Sequence, residues 1–282
     1  MRPPSPPPPS PEPQIVGTGR WADLSRRLGS GVLVAGVGLA LLFLGGIFLA
    51  FGLAILMGAL MWELSRVTAV QVPGRVPHHP EMIATMAAVV FFAVTLFGGW
   101  AAVLFAAPLF VGWRRSAEAQ RGLFVAFAIA FLGAGLSLIW LRESIGLGTA
   151  LWLVATAVQS DVLGYFVGRS VGGPKFWPAI SPKKTWSGTS AGWIGAFVLA
   201  ALLVAFDGSD WSLLILGPLI AFAGQMGDIA ESWLKRRTGI KDSSRLIPGH
   251  GGVMDRFDAL TAALLVAALA GMLGMEPPRI GG

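Results

Sequence analysis

The chain of 282 residues contains no cysteine, which excludes disulfides, thiolate metal sites and thiol nucleophiles. Charge is also scarce: 13% of the residues are Asp, Glu, Lys or Arg, about half the share found in a soluble domain. No GxxxxGK[ST] stretch occurs, so no P-loop is claimed. No internal repeat is visible, which leaves an inverted-repeat transporter without support. Nor do segments of about ten residues alternate as barrel strands in a membrane do. What fills the chain is apolar, 54% hydrophobic residues with a mean hydropathy of +0.69, in long unbroken runs. The expected fold class is all-α, a polytopic integral membrane protein.

Residues Met1 to Gln14 hold eight prolines and no apolar core, the composition of a disordered, polyproline-like tail, expected over 1–20. The first apolar run follows Arg20, Arg26 and Arg27 without a convincing cleavage site. It is expected to stay as an anchor, not to leave as a signal peptide. Nine transmembrane helices are expected, near 31–45, 47–62, 81–98, 100–113, 122–141, 146–167, 190–206, 212–234 and 255–274. Residues 21–145 form the N-terminal helices and 146–282 a C-terminal catalytic region. With a cytoplasmic N-terminus, all of the 21 Lys and Arg except Arg142 and Arg279 fall on cytoplasmic segments, as the positive-inside rule requires. The net charge of +6 therefore sits in loops beside the membrane. Anionic lipid or small phosphates are the expected partners, not nucleic acid.

Three of these helices carry acids inside their cytoplasmic ends: Asp161, then Asp228 and Glu231, then Asp255 and Asp258. Asp161 and Asp228 lie about 10 to 12 Å from the basic boundary of their helices. Ionised groups at that depth must be paired or metal-bound, and they mark function by default. Asp161 also reads as a buried hydrogen-bonded residue joining two helices. Asp228, Glu231, Ser232 and Lys235 are spaced i, i+3, i+4 and i+7, one polar helix face. Asp255 and Asp258 alone read as an N-cap and a first-turn charge. Returning to the same membrane face as Asp228, they fit coordination of a hard cation by oxygen ligands.

Two polar loops complete the picture. Arg169 to Gly188 holds Pro174, Pro178 and Pro182, which prevent a helix, Gly172 and Gly173, which let backbone approach a ligand, and Lys175, Lys183 and Lys184. Glu231 to Asp258 is dense in charge, with Arg236, Arg237, Lys241, Arg245 and Arg256 among its cations. His250 lies in Pro248-Gly249-His250-Gly251-Gly252, which reads either as a solvent loop or as a segment folding round phosphate through exposed amides. His78 and His79 read as loop residues.

The order of these residues resembles a known signature. Ser232-x-x-Lys235-Arg236, then Lys241-Asp242, then Pro248-x-His250-Gly251-Gly252-x-x-Asp255-Arg256-x-Asp258 is similar to the motif of phosphatidate cytidylyltransferases, the CDP-diacylglycerol synthases. Upstream, Asp161 with Tyr165 and Gly168, Ser181-Pro182-Lys183-Lys184-Thr185, and Gly227-Asp228 with Glu231-Ser232 resemble that family in the same order. The resemblance covers about residues 155 to 270, while the first half is similar only in hydropathy. Ser187 departs from it: the family usually has a glutamate before the glycine, here Gly188.

The resemblance implies an enzyme that joins CTP to phosphatidate, giving CDP-diacylglycerol and pyrophosphate for phospholipid biosynthesis, in a bacterial inner membrane with its active site cytoplasmic. It implies Mg2+ on Asp228, Asp255 and Asp258, with a monovalent cation such as K+, and a homodimer. Lys235, Lys241, Arg256 and His250 are the expected catalytic residues. Asp161, Ser181, Lys183, Lys184, Thr185, Ser232, Arg236, Gly251 and Gly252 are the expected substrate-binding residues. The alternatives are another membrane lipid nucleotidyl or phosphoryl transferase, or a transporter. The D-x-x-D-G-x-x-A-R pattern of CDP-alcohol phosphotransferases is absent.

Overall fold

The first long apolar run breaks where two glycines follow each other. The computed structural model of the chain describes residues 20–69, 79–247, 251–274, 277, 279 and 280, with side chains from Gly29 onward. Gly45 and Gly46 have φ of 62° and 47°, the left-handed region that glycine adopts freely. They separate α1 (Arg20–Leu44) from α2 (Gly46–Thr68). Arg142 Nε donates to the Leu42 carbonyl at 2.6 Å and Arg142 Nη2 to that of Phe43 at 3.3 Å, while Glu143 Oε1 accepts from the Gly46 N–H at 2.8 Å. The unsatisfied carbonyls ending one helix thus meet a cation, and the first N–H of the next meets an anion.

The remaining helices are α3 (Pro80–Phe97), α4 (Ala106–Arg115), α5 (Arg121–Trp140), α6 (Leu147–Ser170), α7 (Trp186–Asp207), α8 (Leu213–Thr238) and α9 (Met254–Met272). Strands β1 (Lys175–Trp177) and β2 (Ser181–Thr185) form an antiparallel hairpin between α6 and α7, with Lys175 opposite Thr185 and Trp177 opposite Ser181. The prolines of this loop exclude helix, as expected, and extended pairing takes its place.

These helices occupy the nine expected segments. Among the described residues, six stretches are long and apolar enough to cross a membrane: Gly46–Thr68, Pro80–Phe97, Glu118–Ile145, Leu147–Ser170, Trp186–Asp207 and Leu213–Thr238. The segment near 100–113 is a tight 3-10 stretch, Gly99–Phe105, leading into the ten residues of α4. Ten helical residues rise about 15 Å, half of a bilayer core. The α2 helix runs on to Thr68, past its expected end near residue 62, because Glu63 is not at a solvated boundary but fully buried. The α7 helix starts at Trp186 because Thr185 caps it, its hydroxyl accepting from the Gly188 N–H at 3.3 Å. The proline-rich tail, Arg75, His78 and His250 lie outside the described residues.

Two packing groups result. In one, α2 lies against α3 and α5; in the other, α6, α7, α8 and α9 pack in succession, and α5 against α9 joins the groups. Phe91, Phe124 and Phe131 fill the interior. In lipid, close approach of backbones replaces much of the hydrophobic drive. A Cβ on Gly188 would run into the Gly164 carbonyl of α6, and one on Gly227 would run into the Asp258 carbonyl of α9. That second approach sets the acids of α8 and α9 side by side.

Candidate active site

The polar face of α8 delivers what its spacing promised. Lys235 Nζ lies 2.6 Å from Glu231 Oε2, one turn away, and 2.6 Å from Asp255 Oδ1 at the start of α9. Asp255 is held further by its other oxygen, which accepts from the Gly252 N–H at 2.8 Å, the Ser243 N–H at 3.2 Å and the Ser243 hydroxyl at 3.1 Å. One turn deeper, Asp228 Oδ2 lies 2.6 Å from Lys184 Nζ on β2. Lys184 also donates to the Gln225 carbonyl at 3.3 Å.

Gln225 ties three helices together at that level. Its side chain accepts from Trp193 Nε1 at 2.9 Å and donates to the Thr189 carbonyl at 3.1 Å and to Ser160 Oγ at 3.2 Å. Buried polar groups in a bilayer need such partners, and this set fixes α6, α7 and the root of the hairpin. Asp161, next to Ser160, is within electrostatic range of Lys184, Asp228 and Arg256.

Asp228, Glu231 and Asp258 converge so that one carboxylate oxygen from each lies within 4.8 Å of the others. Among the described residues, Glu231 Oε1 is buried and meets no hydrogen-bond donor. Three converging carboxylates are a donor set for a hard cation, so the three are able to hold a metal ion. Asp255, expected as a ligand, has its carboxylate on Lys235, Ser243 and Gly252, and Glu231 stands in the converging set.

Two recesses flank this cluster. An apolar groove of about 330 Å³ between α5, α8 and α9 is lined by Phe127, Phe131 and Leu265 among others and reaches Glu231 and Asp258 at its polar end. A second recess, of about 600 Å³, is lined by Arg66 at the end of α2 and by Lys241, Ser243, Ser244 and Arg245.

Other expected residues are spread around these features. Lys183, Arg236, Lys241 and Arg256 are exposed, and Ser181 and Ser232 are half-buried. Thr185 is the buried cap of α7, and Ser187 donates to the Gly172 carbonyl, closing the hairpin loop where a glutamate was the expected residue. Gly251, with φ of 88°, pairs with Ile247 in an isolated antiparallel bridge. A Cβ on Gly252 would meet Ser243 Oγ and both oxygens of Glu63.

Glu63 is the residue that sequence reasoning missed, since it lies in α2, outside every motif. The signal available was a carboxylate in an otherwise apolar helix, which marks function unless the helix has ended.

Three curated relatives are similar to part of the chain. The chain is 45% identical over 159 residues to the phosphatidate cytidylyltransferase of Brucella abortus (strain 2308), a match covering 55% of this chain and 57% of that protein. It is 38% identical over 144 residues to the phosphatidate cytidylyltransferase of Staphylococcus saprophyticus, covering 50% of this chain and 55% of that protein. With the phosphatidate cytidylyltransferase of Staphylococcus aureus (strain COL) it shares 35% identity over the same length and with the same coverage. The chain spans little more than half the length of these curated relatives. The cytidylyltransferase family model matches residues 25–273, nearly the whole chain, and the chain belongs to the cytidylyltransferase family.

Proposed function

We propose that the chain is a phosphatidate cytidylyltransferase, converting CTP and phosphatidate to CDP-diacylglycerol and pyrophosphate at the cytoplasmic face of a bacterial inner membrane. The observation that carries this reading is the placement of the acid and lysine cluster between an apolar groove, reaching Glu231 and Asp258, and a basic recess beside Ser243. A lipid with an anionic head group fits the first, and a polyphosphate fits the second. Curated relatives 45% and 38% identical to the chain over part of its length bear the name phosphatidate cytidylyltransferase.

The reaction asks little acid–base work of the protein. A phosphate oxygen of phosphatidate, already anionic, bonds to the α-phosphorus of CTP, the bond from that phosphorus to the bridging oxygen breaks, and pyrophosphate carries the charge away. Bringing two polyanions together is the difficulty, so positioning and charge neutralisation dominate. Lys241, Arg66 and Arg245 receive the triphosphate, Arg256 and the Lys183–Lys184 pair the lipid phosphate. Lys235, fixed by Glu231 and Asp255, presents its ammonium to the reacting phosphates. His250 is assigned to the same work on its motif alone.

Asp228, Glu231 and Asp258 would hold Mg2+, with Asp255 orienting Lys235 beside them; K+ is the monovalent partner the motif implies. Mg2+, when bound, would screen phosphate charge and polarise the phosphorus under attack. The cytoplasmic orientation rests on the Lys and Arg distribution, and the homodimer on the family resemblance.

Purified protein incubated with α-labelled CTP, phosphatidate and Mg2+ tests the reading. Labelled CDP-diacylglycerol and stoichiometric pyrophosphate are expected. Pyrophosphate release with another lipid acceptor in preference to phosphatidate would make it a different lipid nucleotidyltransferase, and no release with any acceptor would sink the enzymatic reading.

A further inference from the structure

Glu63 is fully buried near the cytoplasmic end of α2, yet it faces the loop and helix start that carry the motif. Each of its oxygens takes one hydroxyl and one backbone N–H. Oε1 accepts from Ser244 Oγ and from Val253 N at 2.8 Å; Oε2 accepts from Ser243 Oγ at 2.9 Å and from Met254 N at 2.6 Å. Val253 and Met254 are the cap and first residue of α9. The opening turn of α9 thus has its orphan N–H groups satisfied by an anion from another helix, where the helix dipole favours negative charge.

The contacts continue inward. Ser243 Oγ is shared between Glu63 and Asp255, Asp255 holds Lys235, and Lys235 holds Glu231. Glu63 thereby connects α2 to the acid and lysine cluster through hydrogen-bonded side chains in unbroken succession. The packing leaves no slack, since only glycine fits at position 252, against Ser243 and Glu63.

We propose that Glu63 is a positioning residue for the nucleotidyl-transfer site: it clamps Ser243, Ser244 and the first turn of α9 so that Asp255 keeps Lys235 and Glu231 in their working places. This rests on the function proposed above. The chemistry demands a carboxylate. All four groups facing Glu63 donate here; the two hydroxyls can turn and accept, but the two backbone N–H groups cannot. A glutamine amide, whichever way it is flipped, sets an NH2 against one of those backbone donors and leaves it unsatisfied in a buried site.

The test uses the full chain with a single cysteine at the exposed Leu246 (Leu246→Cys), in Glu63, Glu63→Gln and Glu63→Asp backgrounds. Thermal unfolding and monodispersity in detergent count folded molecules. Maleimide labelling of the cysteine reports loop opening without any need for turnover. Steady-state assays give kcat, KM for CTP and the Mg2+ concentration for half-maximal rate. For folded Glu63→Gln the expected result is a kcat lower by at least about tenfold, half-saturation at several-fold higher Mg2+, and faster labelling. Glu63→Asp, keeping the charge at shorter reach, should recover part of each. Should Glu63→Gln not insert, Ser244→Ala removes one donor from Oε1, leaves α2 intact, and is expected to show the same changes at smaller size. Unchanged rate per folded molecule, Mg2+ dependence and labelling in either variant would make Glu63 a merely structural residue and overturn the proposal. A parent protein inactive on CTP and phosphatidate would overturn the function instead, while the labelling comparison would still decide whether Glu63 holds the loop.

Discussion

Lys184 on β2 reaches across to α8, where its ammonium lies 2.6 Å from Asp228 Oδ2. The pair is only partly exposed, 20% for the lysine side chain and 33% for the aspartate, so it is less screened than a surface pair. It ties the hairpin to the helix that carries the acids. In the proposed reaction this cation would pass from the acid to a substrate phosphate.

Asp228→Asn should therefore abolish most turnover while the protein stays folded in the membrane. Asparagine keeps the size and one oxygen but removes the charge facing both Lys184 and the other acids. The expected loss is at least about a hundredfold in rate, roughly 2.7 kcal/mol, partly recovered at high Mg2+. Wild-type kinetics with unchanged Mg2+ dependence in an inserted variant would remove Asp228 from the site.

Gly227→Val tests the close approach of α8 to α9. The glycine leaves no room for a Cβ against the Asp258 carbonyl, and Ala262 Cβ would stand 2.8 Å away. Overpacking there should cost about 1–3 kcal/mol and spread the acid cluster. Lower thermal stability together with weaker Mg2+ dependence of that stability is expected, and an unfolding temperature equal to wild type would show that the helices do not meet there.

Arg142→Ala should act on stability alone. It removes the donors to the Leu42 and Phe43 carbonyls at the opposite end of the helices from the acid cluster. A loss of about 2 kcal/mol is expected for hydrogen bonds from a charged group, with kcat per folded molecule unchanged. A fall in kcat without a fall in unfolding temperature would contradict this.

Topology can be read with introduced cysteines, since the chain has none. Ser170 and Leu246 are exposed and suit labelling, whereas Ser243 is buried with its hydroxyl on Glu63 and Asp255. Ser170→Cys and Leu246→Cys should both resist an impermeant reagent applied from the periplasmic side and react once the membrane is opened. Labelling of both in sealed cells would reverse the orientation.

Much of this was legible in the sequence. Hydropathy located the helices, and the i, i+3, i+4, i+7 spacing put Asp228, Glu231 and Lys235 on one face, because helical geometry is local. The ends were harder. Glu63 looked like a boundary charge, and only contacts made far along the chain turn its surroundings into interior. The same holds for Asp255: spacing brings it back to the right membrane face but does not say whether its oxygens meet acids or Lys235 and Ser243. The hairpin at 175–185 was read as a helix-free loop, since prolines forbid helix but do not choose a strand partner.

The bonds from Val253 and Met254 to Glu63 span 190 and 191 positions of the chain, and this imposes an order on biosynthesis. The second helix is made long before the residues that satisfy its acid exist, and an unpartnered carboxylate at that depth is costly. While α3 to α8 are made, the acid of α2 lacks its two backbone donors, and Glu63 and the first turn of α9 become satisfied together.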